Sequence, residues 1–388
     1  MSRKRGERNI AYDDRNRLYY VTFHYGIDAG GKRVKKTKTY DTHIAAAQAL
    51  QIFEMKKARR EVSVPTAMTV GMWLNRWLTE IVAPNRARST TYGYSNIIKN
   101  HIEPALGKVA LQELTPQQIQ AYYLSMREQG LCGNTVHKHH QLLFTALECA
   151  VRQEVLLRNP VRRVEAPARK MPRHSFYTTE QMHLLFQLVH GAPLEPAVKL
   201  AGYLGLRRSE ICGLKWENVD LENGTISICE ARTTVGGVTI NKGPKTNASM
   251  RTLGIAGLTD LENMLRAMQQ EQEERRRQKP QFNSEHYVLV HANGQPYSPD
   301  YISGWFTKFV QEKGLPYLTL HGLRHSFASA ANELHIPMFK ISKALGHSNT
   351  NVTSQIYTHL FDDTQNDVLH QVASAIRCGS AEEQAGAF

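Results

Sequence analysis

The chain has 388 residues, of which 41% are hydrophobic, so it is long enough for two or three domains with substantial cores. Its 48 Lys and Arg outnumber its 35 Asp and Glu, which gives a net charge of +13 and favours a polyanionic partner, nucleic acid before an anionic membrane. No run of 18 apolar residues is present to span a bilayer. The five cysteines are scattered without a CxxC pair, which argues against a disulfide framework. We therefore expect a cytoplasmic protein with no membrane partner.

The first 64 residues are predicted to form a DNA-binding domain. Residues 1–65 hold 15 Lys and Arg against 7 Asp and Glu, so much of the excess positive charge lies here. Aromatic and β-branched residues predict strands over 17–25 and 33–40, with a shorter one near 9–12, and Thr42 is placed to cap a helix that runs to about Arg60. We expect a three-stranded sheet with a helix behind it, whose lysine-bearing face enters a DNA groove; a merely solvated charged face is the alternative. The predicted contact residues are Arg17, Tyr19, Lys35, Lys36 and Lys38.

Residues 69–157 are predicted to form an all-α domain of four or five helices. Apolar residues from Val70 to Ile81 recur at helical spacing, and Thr115-Pro116 followed by Gln118 has the pattern of a helix start. Asn134 is predicted to cap the fourth helix. The run 137–140, His-Lys-His-His, lacks the further ligands of a metal site, and we interpret it as a polar helix face near DNA. Small hydroxyls beside arginines suit phosphate contacts at a helix start, and they predict as DNA-binding residues Arg86, Arg88, Ser89 and Thr90.

Residues 158–174 contain three prolines and six Lys or Arg with one acidic residue, which predicts an exposed basic linker. Such a segment suits a strap across DNA between two domains, although an ordinary flexible connector has the same composition. The contacts predicted here are Arg162, Arg163 and Lys170.

Four short segments in a final region, residues 175–376, carry the residue types of a phosphoryl-transfer site. The first, at 205–211, has Arg207 and Glu210 at i and i+3. The second, a Gly-Pro-Lys turn after a predicted strand at 225–229 and before another at 251–255, presents Lys245. The third, at 320–327, puts His321, Arg324 and His325 on one helix face. The fourth begins with a helix ending at Gly346, followed by His347, and continues on the next helix to Tyr357.

In this order and spacing the segments resemble the tyrosine recombinase (phage integrase) family. The resemblance covers about 175–375 through these motifs, and 69–157 more loosely as the helical core-binding domain. Residues 1–60 resemble the arm-binding domain of the larger integrases of temperate phages and integrative conjugative elements. The resemblance implies a multidomain, mainly α fold with small β-sheets and a mixed α+β catalytic domain. It also implies six catalytic residues: Arg207, Lys245, His321, Arg324, His347 and Tyr357.

These residue types suit metal-free cleavage of a phosphodiester. Two guanidiniums can grip its non-bridging oxygens in a fork, and they would also lower the cost of forming a tyrosine phenolate, about 4 kcal/mol at pH 7. His321 can relay the proton of Tyr357, His347 can donate a hydrogen bond, and Lys245 can protonate the leaving 5′-oxygen. The sequence has no Walker loop and no acidic cluster for two metals, so we expect neither a cofactor nor a metal.

The resemblance also implies partners and leaves alternatives open. The expected partner is double-stranded DNA with core-type and arm-type sites, bound by a homotetramer in the bacterial cytoplasm. A directionality factor and a DNA-bending host protein are possible accessory partners. An apolar helix at 366–376 could dock on a neighbouring copy or on its own domain, and 377–388 form a tail. The alternatives are a Xer-like resolvase, a type IB topoisomerase, a non-catalytic DNA-binding regulator, and a zinc hydrolase using His321 and His325 that lacks a third ligand.

Overall fold

The computed structural model of the protein describes residues 9–27, 31–59, 62, 67–169, 175–243 and 250–346, and the backbone of 4–5. These residues belong to two compact units, 1–171 and 172–388, whose division falls inside the predicted linker 158–174. The predicted C-terminal helix and tail lie outside the described residues. So do four predicted site residues: Lys170, Lys245, His347 and Tyr357. No described helix is long and apolar enough to cross a membrane.

The N-terminal sheet contains the three predicted strands and a short fourth one at its edge. Strands β1 (Lys4–Arg5), β2 (Ile10–Asp13), β3 (Leu18–Ile27) and β4 (Arg33–Tyr40) are antiparallel in sequence order. Helix α1 (His43–Ala58) follows, and the hydroxyl of Thr42 accepts a hydrogen bond from the amide of Ala45, as predicted for a cap. A small core forms where Phe53 of the helix packs against Phe23 of β3, with their ring centroids 4.9 Å apart.

The predicted DNA-contacting lysines lie on both faces of this sheet, not on one. Val21 lies opposite Lys38 and Phe23 opposite Lys36, so these two lysines share the helix-covered face with the buried core. Lys35 lies opposite His24 on the other face. The expectation that the lysines share one face is therefore wrong, because neighbouring strand residues point to opposite sides.

The helical part of the first unit is built on a large apolar core. Its helices are α2 (Val70–Trp77), α3 (Ala83–Asn85), α4 (Arg88–Ile97), α5 (Glu103–Leu106), α6 (Pro116–Glu128) and α7 (Gly133–Arg152). Two π-helical turns, Leu78–Val82 and Ile98–Ile102, link consecutive helices, and short 3-10 helices lie at Leu111–Glu113 and Pro160–Arg163. The predicted apolar face of α2 is buried, with Trp73 at its centre donating a hydrogen bond to the carbonyl of Ala146 at 2.9 Å.

Helix α6 starts as predicted, whereas α7 does not. Thr115 and Gln118 form a complete capping box around Pro116. Helix α7 begins at Gly133 with Cys132 at the capping position, so the prediction of Asn134 as the cap is wrong by two residues. The carbonyl of Cys132 accepts the first helical bond, from Val136. A Cβ on Gly133 would lie 2.8 Å from the carbonyl oxygen of Ala168, so the close approach of residue 168 favours glycine at this position.

The second unit is a mixed α+β domain. Its helices are α8 (Thr179–Val189), α9 (Glu195–Leu204), α10 (Arg208–Gly213), α11 (Thr259–Gln278), α12 (Pro299–Glu312), α13 (Leu320–Glu333) and α14 (Met338–Leu345). A short 3-10 helix, Trp216–Asn218, precedes the strands. Strands β5 (Val219–Asp220), β6 (Thr225–Ile228) and β9 (Arg251–Gly254) form a three-stranded antiparallel sheet, and β7 (Ala231–Val235) pairs with β8 (Val238–Lys242). Thr178 caps α8, in a capping box with Gln181.

The β7–β8 hairpin is absent from the sequence-based prediction. It turns at Gly236 and Gly237, whose φ angles of 60° and 79° belong to the left-handed region that such a two-residue turn requires. A Gly-Gly pair between β-branched residues is a recognisable signal of this turn, so the hairpin could have been found. It places the predicted lysine turn after β8, not directly after the strand at 225–228.

Candidate active site

The candidate active site in the second unit gathers residues from α10, α13 and the end of α14. Helices α9 and α14 both end at a glycine in the left-handed conformation, Gly205 with φ 60° and Gly346 with φ 66°. The last carbonyls of a helix have no partner within the helix and carry partial negative charge. The two predicted arginines, Arg207 and Arg324, donate hydrogen bonds to carbonyls at these two helix ends.

Arg324 is fully inside the domain, with 2% of its surface exposed. Its Nη1 donates to the carbonyl of Gly205 at 2.6 Å, and its Nη2 donates to the carbonyl of Leu345 at 2.7 Å. The guanidinium therefore joins the C-terminal ends of α9 and α14. Most residues of α13 are buried. The hydroxyl of Ser326 accepts a hydrogen bond from the backbone amide of Tyr177, and this bond holds α13 to the start of the unit.

Arg207 lies at the N-terminal end of α10 and is partly exposed, with 31% of its side chain accessible. Its Nη1 donates to Glu210 at 2.7 Å and its Nη2 to the carbonyl of Gly346 at 3.2 Å. Because Arg324 bonds Leu345 and Arg207 bonds Gly346, the two guanidiniums occupy consecutive carbonyls at one helix end. The structure thus brings together the two arginines that the sequence places 117 positions apart.

Glu210 is the buried carboxylate of this site, with 6% of its side chain exposed. It accepts from the backbone amide of Arg207 at 2.9 Å and from both terminal nitrogens of Arg251. Burial by itself raises the pKa of Glu210, but the hydrogen bonds and charge of Arg251 and Arg207 outweigh it and hold that pKa below its ordinary value. The carboxylate is therefore ionised at neutral pH. The sequence indicated Arg207 beside Glu210, whereas Arg251 was missed as a member of the site.

The two histidines of α13 lie side by side next to Arg324. His321 is exposed and His325 is buried, with ring centroids 5.0 Å apart and ring planes at 88°. The exposed position of His321 is compatible with its predicted role in proton transfer. Among the described residues, no group of three His, Cys, Asp or Glu side chains is arranged to hold a metal ion. His347 and Tyr357 follow Gly346 in the chain outside the described residues, and Lys245 falls in the gap between 243 and 250.

The predicted DNA contacts of the first unit have varied surroundings. Arg17 is exposed in the turn before β3, and Tyr19 packs against His43 of α1 at 5.5 Å between ring centroids. Arg86 and Arg88 are exposed around the start of α4, with Ser89 and Thr90 partly buried in its first turn. Arg163 is exposed, whereas the guanidinium of Arg162 donates to both oxygens of Glu148 at 2.7 and 2.8 Å.

The histidines of α7 do not form the polar face that the sequence suggested. His139 and His140 are buried, and their Nδ1 atoms lie 2.7 and 3.2 Å from the hydroxyls of Tyr122 and Tyr123 on α6. Burial, and then the charge of His101, lower the pKa of His139 to about 4, so it is neutral at physiological pH. These two side chains belong to the core between the helices, and their tyrosine partners explain how buried imidazoles are satisfied.

The chain is similar to known proteins of one family. The chain matches the phage integrase family over residues 176–364 and the N-terminal SAM-like domain of phage integrases over 69–126. A XerC-like tyrosine recombinase of Caldanaerobacter subterraneus is 25% identical over 366 residues, 88% of this chain and 92% of its own. The ICEBs1 integrase of Bacillus subtilis is 25% identical over 368 residues, 92% of this chain and 97% of its own.

The fold has a solved counterpart. The integrase of transposon Tn1549, in complex with a circular intermediate DNA, superposes with a TM-score of 0.67 at 18% identity, over 79% of this chain and 99% of that one. The two family matches lie in the helical region of the first unit and in the second unit. The chain belongs to the phage integrase family of tyrosine recombinases.

Proposed function

We propose that the chain is an integrase that inserts a mobile element into DNA and excises it, cutting and rejoining strands through Tyr357. The observation that carries this proposal is the pair of arginines at consecutive carbonyls of one helix end, with His321 on the same helix as Arg324. Such a pair presents planar, permanently charged groups to one phosphodiester. Family membership supplies the reaction class, and the site is consistent with it.

In the proposed reaction, the phenolate of Tyr357 attacks the scissile phosphorus. Arg207 and Arg324 stabilise the charge that develops on the non-bridging oxygens, and His347 donates a further hydrogen bond. His321 accepts the proton of Tyr357, and Lys245 gives one to the departing 5′-oxygen. The phosphorus–5′-oxygen bond breaks as the phosphorus–tyrosine bond forms, which leaves a 3′-phosphotyrosine and a free 5′-hydroxyl. Attack by the 5′-hydroxyl of another strand reverses these steps, so the chemistry itself requires neither ATP nor a metal.

The mobile-element assignment draws on the first unit. A second DNA-reading domain before residue 65 lets the protein bind arm-type sites as well as core-type sites, and a resolvase or topoisomerase has no need of it. The relative named ICEBs1 integrase and the transposon integrase of the solved structure both belong to mobile elements by name. Exchange between two duplexes requires four cuts, so four copies with one tyrosine each would assemble on DNA, with a directionality factor and a DNA-bending host protein as accessory partners.

We further propose that the arm-type DNA lies on the sheet face opposite α1. This face carries residues that alternate with the buried ones along β3 and β4, and the described residues place no helix on it: Tyr20, Thr22, His24, Lys35, Thr37 and Thr39. Hydroxyl and lysine side chains on an exposed, twisted sheet suit phosphate and base-edge contacts.

A nicked suicide substrate tests the reaction. The wild-type protein, incubated with this DNA in EDTA, should form a covalent adduct visible as a shifted band on a denaturing gel. Tyr357→Phe should bind the DNA and form none. An adduct that persists in Tyr357→Phe would overturn the nucleophile, and a wild-type reaction that needs added Mg²⁺ would overturn the mechanism.

A further inference from the structure

Arg251, the first residue of β9, has a buried side chain with all three of its nitrogens engaged by the protein. Its Nη1 and Nη2 donate to the two carboxylate oxygens of Glu210 at 3.2 and 2.9 Å. Its Nε donates to the carbonyl of Ala344, in the last turn of α14, at 2.9 Å. Only 8% of the side chain is exposed, so this guanidinium faces protein groups and not solvent.

Glu210 connects Arg251 to the candidate catalytic arginine. The same carboxylate accepts Nη1 of Arg207 at 2.7 Å, so one glutamate lies between two guanidiniums. A carboxylate held by a fork on one side has a fixed orientation, and this fixes the direction from which Arg207 can bond to it. Without Arg251, Glu210 would keep its bond from the backbone amide of Arg207 but lose the fork, so its carboxylate would hold the guanidinium of Arg207 less firmly.

The turn at the end of α14 is the third part of this arrangement. Gly346 packs so closely on Arg251 that a Cβ at this glycine would lie 2.8 Å from Nη1 of the arginine. The carbonyl of Gly346 accepts Nη2 of Arg207, and the chain continues from this residue to His347. Arg251 therefore contacts the segment that leads to a candidate catalytic histidine as well as the carboxylate that holds a candidate catalytic arginine.

We propose that Arg251 is a positioning residue for DNA cleavage: through Glu210 it aligns Arg207, and through Ala344 and Gly346 it sets the turn before His347. It does so without touching the scissile phosphate. The inference rests on the proposed recombinase function, since cleavage is the step it affects. A lysine in its place would keep the charge, but it would lose the planar fork and the separate Nε donor.

Single-turnover cleavage of the nicked suicide substrate tests the role of Arg251. Arg251→Lys should lower the cleavage rate constant by about 10- to 100-fold, by analogy with the loss when a residue that orients a metal ligand is replaced. Its affinity for core DNA should stay within about twofold of wild type, because all three of its guanidinium nitrogens already bond protein groups. Arg275→Lys is the matched control: Arg275 also bonds a glutamate, Glu271 at 2.6 Å, but on the exposed surface of α11, and its cleavage should equal that of wild type.

Chemical rescue distinguishes positioning from a general loss of structure. Millimolar guanidinium added to Arg251→Ala should restore much of the lost rate with saturation, because it can occupy the vacated site between Glu210 and Ala344. Methylammonium should restore little. Wild-type rates in Arg251→Lys, or equal losses of affinity and rate, would overturn the positioning role, and so would a folded Arg251→Ala that guanidinium does not rescue. Failure of the wild type itself to form an adduct would instead overturn the proposed function.

Discussion

We predict that Gly205→Ala loses both stability and cleavage. Gly205 has a positive φ, is closely packed, and accepts a hydrogen bond from Arg324 of the candidate site. Its φ of 60° costs an ordinary residue about 1–2 kcal/mol. The new Cβ would also lie 2.6 Å from Cδ2 of Leu345 and 3.0 Å from Cδ1 of Phe327, and overpacking of this kind costs about 1–3 kcal/mol. We therefore expect a total loss of about 2–5 kcal/mol in the free energy of unfolding.

Gly191→Ala is the matched control. Gly191 also has a positive φ, 72°, but a Cβ there would meet no atom within 4 Å. This variant should lose only the backbone contribution, about 1–2 kcal/mol. Any gain from stiffening the unfolded chain is common to both variants and cancels in the comparison. Urea unfolding of the two proteins should differ by about 1–3 kcal/mol, the packing contribution alone.

The effect of Gly205→Ala on cleavage follows from the bond between its carbonyl and Nη1 of Arg324. Pushing α14 away from residue 205 shifts one of the two carbonyls that fix this guanidinium, and each 1.36 kcal/mol of lost transition-state stabilisation is tenfold in rate. Single-turnover cleavage should fall at least about tenfold in Gly205→Ala and stay unchanged in Gly191→Ala. Equal losses of stability in the two variants, or full cleavage by Gly205→Ala, would refute this account of how the arginine is held.

Two further predictions concern the first unit. The bond from Arg162, opposed in part by burial and aided by Asn159, holds the pKa of Glu148 at about 2, below its ordinary 4.5. A depressed carboxyl pKa stabilises the fold above pH 4.5, and this contribution is lost as the pH falls to about 2. The stability difference between wild type and Glu148→Gln should therefore shrink over that range in urea unfolding; a difference independent of pH would contradict it. In fluorescence-anisotropy titrations with arm-type DNA, Lys35→Ala should reduce the log–log salt slope by about 0.9, whereas Lys36→Ala on the helix-covered face should change it less; equal effects would argue against the open face as the DNA surface.

Features that depend on neighbours in the chain could be predicted from the sequence. Thr42 and Thr115 both cap helices in the structure, since a cap is decided by a hydroxyl and an amide three residues later. The glycine end of α14 was predicted for the same reason. The family's motifs are also short and local, which is why the pairing of Arg207 with Arg324 could be predicted from the amino-acid sequence.

Features that depend on distant contacts could not. Nothing near Arg251 in the chain indicates that it bonds a glutamate 41 positions earlier and a carbonyl 93 positions later. The burial of His139 depends on Tyr122 of another helix, so its own sequence, a run of polar residues, suggested a solvent-facing surface. Arg251 was missed, and His139 was assigned to the outside, because the partners of each side chain lie in other elements.

The described part of the candidate site carries more positive than negative charge. Within this described part, Arg207 and Arg251 bond the carboxylate of Glu210, and Arg324 bonds helix-end carbonyls, so three guanidiniums accompany one carboxylate. Helix-end carbonyls offset part of the cost of burying Arg324, because they supply the partial negative charge of two helix dipoles without neutralising it fully. The remaining positive potential is what a phosphodiester would meet on binding. A fully neutralised site would be more stable, but it would stabilise the additional negative charge of the transition state less. An excess of arginine over carboxylate is therefore the arrangement that catalysis of phosphodiester cleavage favours.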